Sequence, residues 1–457
     1  MSKAAASMFY SIPDRFAHQE ETRQFGMVNP RVFDMSDAGT GKTRAWLDVL
    51  DHRFKLMGGK ALVIAPKTIL KTAWADDIRK FTPHLTCSLA YASNRLQAFN
   101  HEAQIYITNH DAVKWLLKRP QLLDGFHTII IDESTAFKHR TSQRSAALAK
   151  FIHRFPYRTL LTGTPNPNGL LDLWHQVFLL DDGEHLGDSY WRFRSTVCES
   201  KQVGPSPQHI QWRDAEGAAE AVASLLEDIT IRHVFEECLD IPENHEYSVA
   251  FTLNKEHRKA YEILKQHSVL ELKSGGLSAF SAGVLATKLL QLASGAVYDD
   301  QRIVQLYSTD RYDLVLDLVE QRSQCIVAFN WSHQRDHLID LARKRGIKYG
   351  LIDGSVSDKK RIEYIEHFQA GLITLLFIHP NSGAHGLTLT KGVATIWASP
   401  MYNAEHFIQF NKRIYRAGQT QRTETILVLA EDTIDVTVAE KLMSKVYKMD
   451  NLLEMLV

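Results

Sequence analysis

Residues 35–43, MSDAGTGKT, constrain this chain more than any other stretch. They follow a short apolar pair, Val32 and Phe33, and open a helical pattern over 44–50. A strand, a glycine-rich turn and a helix in that order make a phosphate cradle. The N–H groups of the turn and of the helix N-terminus converge on one anion. Gly39 and Gly41 let the backbone come close without a Cβ in the way, with Ala38 and Thr40 filling the turn. Lys42 is placed to reach the β- and γ-phosphates, and the Thr43 hydroxyl to ligate Mg2+. The pattern G-x-x-x-x-G-K-[ST] is met except at its first glycine, which is Ser36 here.

The rest of the first half supplies what such a loop needs. Phe16, Ala17, His18 and Gln19 stand upstream, at the start of a predicted helix over 19–25. A glutamine amide offers a donor and an acceptor, which suits the edge of adenine, and beside a phosphate loop that role outweighs an ordinary helix start. His18 is grouped with it. Continuous apolar runs at 61–65, 105–108 and 128–131 predict buried parallel strands. A helix carrying Trp74 is predicted from 66 to about 81. Lys67, Thr108 and His110 lie just past strand ends, on the ligand-facing edge of an open α/β sheet. Contact with a nucleic-acid backbone and plain loop chemistry are both open there. The third run ends in Asp132-Glu133, and two acids at the tip of a buried strand are costly without a cation. Asp132 is placed to hold Mg2+, and Glu133 to polarise the attacking water. A fourth strand, 158–161, runs into Thr162-Gly163-Thr164-Pro165, hydroxyls on a tight turn suited to link the nucleotide site to a second domain.

Residues 181–216 lose the strand and helix rhythm, so an irregular surface insert is expected. Its aromatics are interleaved with cations, a composition suited to base stacking and phosphate grip. Packing onto the domain is the favoured reading for Trp191 and Phe193, with nucleic-acid contact by Trp191 as the other. A short helical insert is expected at about 256–296, broken at Gly275-Gly276. Strand and helix alternation resumes from 325 and implies a second parallel sheet. Within 409–419, QFNKRIYRAGQ, the spacing sets Gln409, Arg413 and Arg416 near one face of a helix. Pointed across a cleft, Arg413 and Arg416 become arginine fingers on a γ-phosphate.

The series GTGKT, DEST and TGTP resembles the first motor domain of superfamily 2 helicases and translocases. The acid motif in that family is usually Asp-Glu-Ala-His; here Ser134 and Thr135 replace its last two residues. Residues 231–264 resemble the link between motor domains in the Swi/Snf-like branch, and 409–419 resemble that branch's last motif. The resemblance runs from about Phe16 to Leu442. It implies two tandem RecA-like domains, parallel sheets flanked by helices, with an ATP cleft between them: 1–240, and 241–457. ATP and Mg2+ are the implied cofactors. Catalysis falls to Lys42, Glu133, Arg413 and Arg416, with Gly386 and Gln409 added to the nucleotide contacts. Lys67, Thr108, Asn330, Ser355 and Thr388 are expected to grip a backbone strand.

A chain of 457 residues, 44% hydrophobic, has the length for two or three domains. Lysine plus arginine and aspartate plus glutamate both number 53, so DNA has to be held by a local basic groove. Four scattered cysteines without C-x-x-C argue against a zinc site and a disulfide scaffold, and fit a reducing compartment. The first residues lack the apolar core of a signal peptide, and no run has the length to cross a bilayer, so a cytoplasmic monomer is expected, in the host cell if the chain comes from a phage. A compact Swi/Snf-like motor without large insertions resembles the DNA helicases that large phages carry for branched replication and recombination intermediates. The leading expectation is therefore an ATP-dependent helicase acting on forked or branched DNA. A duplex translocase that remodels protein–DNA complexes and an ATP-gated nucleic-acid clamp are the alternatives.

Overall fold

The computed structural model describes residues 12–202, 210–273, 279–298, 301, 303–383 and 387–456. It divides into two compact units, one reaching to Leu239 and including the C-terminal residues from Met449, the other Asp240–Lys448.

In the first unit the strands are β1 (Arg31–Asp34), β2 (Lys60–Ala65), β3 (Cys87–Ala90), β4 (Ile105–Asn109), β5 (Phe126–Asp132), β6 (Tyr157–Leu161), β7 (Cys198–Gln202), β8 (Ile210–Asp214) and β9 (Thr230–Ile231). Seven of them form one parallel sheet in the order β3-β4-β2-β5-β6-β1-β9. Helices cover it, so β2 and β5 read as unbroken apolar runs: Ala61 to Ala65 and Ile129 to Ile131 are wholly buried. Each such isoleucine or leucine contributes about 1.5–3 kcal/mol by leaving water. Helix α1 (Ala17–Val28) lies on α2 (Lys42–Met57). Gly26 makes that approach possible, because a Cβ there would sit 2.9 Å from the Trp46 ring.

In the second unit β10 (Asn244–Phe251), β13 (Cys325–Ala328), β14 (Tyr349–Ile352), β15 (Leu375–Ile378), β16 (Ala394–Trp397) and β17 (Thr423–Ala430) make a six-stranded parallel sheet, ordered β10-β17-β16-β13-β15-β14. β11 (Ala296–Tyr298) and β12 (Val304–Leu306) pair as an antiparallel ribbon. The chain is thus an α/β protein with two parallel-sheet domains flanked by helices, as expected. No described helix is long and apolar enough to cross a membrane.

Several expectations need correction. The insert at 181–216 carries regular elements in its described residues: helix Tyr190–Val197, started by the Ser189 side chain at the Arg192 N–H, leads into β7, which pairs antiparallel with β8. Phe193 and Val197 bury its inner face, as expected for Phe193, but Trp191 stands 57% exposed. The helix from 66 to 81 is a 3-10 turn (Lys67–Ile69), a π turn (Leu70–Ala75) and an α turn (Asp76–Phe81). The expected second domain ran to 457, yet the residues from Met449 group with the first unit, where Met449, Leu452 and Leu453 are buried. Gly275, Gly276 and Gly386 lie outside the described residues.

Candidate active site

Because every strand of the first sheet is parallel, the residues that follow β1, β5 and β6 share its carboxyl edge, where open α/β sheets bind ligands. The turn after β1 is held in shape from four sides. Asp34 ends the strand, accepting the Ser36 N–H at 3.0 Å and the Trp46 indole at 2.8 Å. Gly39 and Gly41 take φ of +99° and +81°, in the region that favours glycine. A Cβ on Gly41 would lie 2.3 Å from Gln19 Nε2, and one on Gly163 3.2 Å from the Ala38 nitrogen. The glycine of TGTP thus lets β6's turn press on the phosphate loop. The Ser36 hydroxyl accepts the His233 N–H at 3.1 Å, and the Asp37 carboxylate accepts the Phe235 N–H at 3.1 Å. Sequence reasoning missed the 231–235 clamp; Ser36, the one departure from the loop pattern, marked it.

His18 and Gln19 brace the same loop. His18 Nε2 meets the Thr40 carbonyl at 2.7 Å, and Gln19 Nε2 donates to it at 3.3 Å. The Gln19 carbonyl accepts the Phe16 N–H at 3.1 Å, so the amide expected at adenine is engaged with the protein at both ends. Phe16, half-exposed, stacks on His18 at 5.6 Å. No side chain caps α2, which leaves its first N–H groups to an anion. Lys42 Nζ sits at the loop, 2.6 Å from the Ser36 carbonyl and 3.0 Å from that of Asp37. Thr43 is half-buried beside it.

The acid pair follows β5. Burial pushes the Asp132 carboxyl up, opposed by the hydrogen bond from the Trp74 indole and by the Lys42 ammonium. The Trp74 bond is 2.9 Å long, and the π turn delivers that indole, an instance of helix irregularity at a functional position. Glu133 adopts φ +53°, left-handed for a residue with a side chain, while its N–H bonds Asp132 Oδ1 at 3.0 Å. Backbone strain of this kind persists only where the surroundings impose it. These residues fit a magnesium nucleotide: an uncapped helix start, an ammonium, a hydroxyl, and a buried carboxyl already under that ammonium's field.

Ser134 and Thr135 are wired to the TGTP turn. Thr135 Oγ1 lies 2.9 Å from Thr162 Oγ1 and donates to the Thr164 carbonyl at 3.0 Å. Thr162 Oγ1 accepts the Thr164 N–H at 3.1 Å. Ser134 donates to Gln176 Oε1 at 2.7 Å, and Gln176 returns to the Pro165 carbonyl at 2.7 Å. The turn hydroxyls expected to reach a second domain are both buried inside the first: that of Thr162 is spent on Thr135 and the Thr164 N–H, and that of Thr164 has no hydrogen-bond partner among the described residues.

Two expected backbone contacts fail. Thr108 is fully buried and donates to the Ala90 carbonyl at 2.8 Å. His110 is buried, and Nε2 meets the Asp132 carbonyl at 2.8 Å; a carbonyl only accepts, so that nitrogen carries the proton. Burial pushes its pKa down to about 4, so His110 is a neutral prop under the acid motif. Both side chains occur at positions that pattern alone cannot separate from exposed loop. Lys67 is exposed. Trp191 carries the guanidinium of Arg194 at 4.6 Å and of Arg140 at 5.1 Å, which holds it at the surface.

In the second unit the helix Ala404–Asn411 ends before the arginines, so Gln409, Arg413 and Arg416 do not share a helix face. The two arginines instead converge on the Leu387 carbonyl, at 3.3 and 3.0 Å. Arg413 is buried and also donates to the Gln409 carbonyl at 2.7 Å, whereas Arg416 is half-buried. Gln409 is itself buried. Asn330 spends its amide on Ser399 and Pro400, at 3.1 and 3.0 Å. Ser355 and Thr388 are exposed, and Ser355 donates to Asp353 at 2.6 Å.

Known proteins share this frame. Residues 26–294 match the SNF2-related domain, and 310–418 the helicase conserved C-terminal domain. Putative protein p41 of Acyrthosiphon pisum secondary endosymbiont phage 1 is 31% identical over 91% of this chain and 93% of its own length. An uncharacterized ATP-dependent helicase of Mycoplasma pneumoniae is 25% identical over 88% of this chain, which spans 38% of that protein. The Sulfolobus solfataricus SWI2/SNF2 ATPase core, solved in complex with dsDNA, is 19% identical over 96% of this chain and 93% of its own, with a TM-score of 0.44.

Proposed function

The chain belongs to the SNF2-related family, and on that premise we propose that it is an ATP-driven DNA motor that unwinds or branch-migrates forked and branched DNA in replication, recombination or repair. Its place would be the cytoplasm, in the host cell if the chain is of phage origin, working as a monomer. One observation carries the reading: the Lys42 cradle and the Asp132-Glu133 pair are fixed to each other through Gly163, Thr135 and Thr162. A binding clamp has no need of a water-polarising acid locked to its phosphate loop.

In this reading the α2 N-terminus and Lys42 bind the β- and γ-phosphates of ATP, and Thr43 and Asp132 hold Mg2+. Mg2+, when bound, neutralises charge on the phosphate oxygens. Glu133 orients and deprotonates the attacking water; the imposed left-handed backbone fixes where its carboxylate starts. Arg416, steadied by Arg413 through Leu387, meets the γ-phosphate as the finger, and loss of that phosphate removes its differential affinity. Lys67, Ser355 and Thr388 grip phosphates without reading bases. Trp191, exposed between two guanidiniums, supports strand separation because an indole face accepts any base.

The test is ATP turnover without nucleic acid and with single strand, duplex, fork, four-way junction and RNA, with strand release followed on the labelled fork and junction. Stimulation and strand release on branched DNA are expected. Stimulation by plain duplex without release would identify a duplex translocase, and no stimulation by any DNA would refute the proposal. Lys42→Ala is expected to abolish turnover and keep DNA binding; retained turnover would sink the site assignment.

A further inference from the structure

We propose that the surface around Trp115 in the first unit is a second polyanion site, which takes the sugar-phosphate backbone of a nucleic acid away from the ATP cradle. The ligand class rests on the DNA-motor reading.

Two adjoining hollows of about 990 and 790 Å3 share Trp115 and Arg119 in their walls. Arg95 lines the first, and Lys114, Lys118 and Lys150 line the second. The acid among the lining residues is Asp111, already 3.8 Å from Arg144. Among the described residues none of the five lining cations has a carboxylate within ion-pair distance. Their partners are neutral: Arg95 donates to Asn109 Oδ1 at 2.8 Å, Lys114 to Gln143 at 3.4 Å and Arg119 to the Trp115 carbonyl at 3.4 Å. In a chain whose charges balance, five cations against one shared acid is a local excess, and like charges this close repel until an anion arrives.

The indole sets the geometry. Arg119 lies 4.5 Å over the Trp115 ring and Arg95 5.6 Å from it. A stacked guanidinium holds its donors in a fixed plane, and those not given to Asn109 and the Trp115 carbonyl suit phosphate oxygens and lose little entropy on binding. Arg95 Nε is buried with no hydrogen-bond partner, a donor left unsatisfied by the protein.

Place separates this surface from the nucleotide. Arg95 follows β3 and is tied to Asn109, the last residue of β4. The phosphate loop follows β1, five strands away in the sheet, or roughly 24 Å at the ~4.8 Å spacing of neighbouring strands. Exposed Lys67 follows β2, which neighbours β4. Lys67 after β2 and Arg95 after β3 therefore flank the end of β4, a spread of cations along the sheet edge that fits a string of phosphates and not one small anion.

The full-length chain and a short labelled duplex test this, with the dissociation constant measured against salt concentration. Lys118→Gln with Lys150→Gln removes two exposed charges that support nothing in the fold; Arg95→Gln with Arg119→Gln removes the stacked pair, with thermal melting as the fold control. Each double variant is expected to flatten the slope of log K on log salt by about 2, near 0.9 for each phosphate no longer neutralised. Indole emission, taken as the difference between the chain and Trp115→Phe, is expected to change when duplex is added. A steep slope in the unchanged chain that both double variants keep overturns the proposal and leaves the motor reading standing. A slope shared with polyglutamate but absent with duplex overturns it in favour of an acidic protein surface. Failure of the unchanged chain to bind any nucleic acid overturns the reading beneath it.

Discussion

Thr135→Val isolates the link between the acid motif and the TGTP turn. Each hydroxyl has one proton to give. Thr135 gives its proton to the Thr164 carbonyl, so the 2.9 Å contact with Thr162 must be donated by Thr162, which in turn accepts the Thr164 N–H. The chain of bonds closes on the Thr164 backbone, through its carbonyl and its N–H. Valine keeps the shape and removes the hydroxyl, which leaves one donor and one acceptor without partners where Thr135 is 2% exposed. An orphaned buried group costs about 1–3 kcal/mol, so about 2–4 kcal/mol follows for the pair once the Thr162 rotor relaxes. For a unit of this size that is a fall in melting temperature of roughly 4–16 °C, read by calorimetry on the transition of the first unit. Thr162→Val removes the same bond from the other side, so the double variant is expected to fall short of the summed effects by about 1 kcal/mol. A melting shift under about 2 °C, or strict additivity, would refute the closed network.

Three further outcomes follow from the geometry. Gly41→Ala combines a φ of +81° with a Cβ 2.3 Å from Gln19 Nε2, and is expected to cost about 2–3 kcal/mol and to weaken ATP-analogue binding in titration, while Gly58→Ala, at φ +68° with nothing within 4 Å, costs about 1–2 kcal/mol and leaves binding alone. Arg416→Ala is expected to slow turnover more than it weakens ATP binding; equal losses in kinetics and equilibrium titration would count against a finger. His333 is buried against Ser294 at 2.9 Å with its pKa pushed down to about 4 by burial, so the unfolded chain binds the proton first as pH falls. Its contribution is complete above about pH 6.5 and is lost toward pH 4 at about 1.4 kcal/mol per unit, so His333→Asn should flatten the acid limb of a melting-temperature profile.

The elements that pattern exposes were legible. Buried parallel strands announce themselves as unbroken apolar runs, and β2, β4, β5 and β6 lie where 61–65, 105–108, 128–131 and 158–161 placed them. What failed was anything decided by a tertiary partner. Thr108 and His110 look like edge residues in sequence, but their neighbours are a β3 carbonyl and the Asp132 carbonyl, brought there by sheet order. The 181–216 stretch lacks long periodicity because an eight-residue helix and two five-residue strands are too brief to show any. The arginines of 409–419 have helical spacing, yet the helix stops at Asn411 and the carbonyl of Leu387, more than twenty residues upstream, gathers them instead.

Two departures from the family pattern prove to be the informative positions. Ser134 and Thr135 stand where alanine and histidine are usual, and each supplies a hydroxyl that ties the acid motif to the turn after β6. Ser36 stands where the loop's first glycine is usual, and its hydroxyl holds the His233 N–H. His233 and Phe235 precede the boundary at Leu239 by only a few residues. Ser36 and Asp37 of the phosphate loop are therefore bonded directly to the segment that leads out of the first unit. A glycine at 36 would offer the phosphate the same backbone and would have no hydroxyl to hold that segment. The serine thus gives up a little freedom in the loop for a direct hydrogen-bonded tie between the phosphate loop and the 233–235 segment.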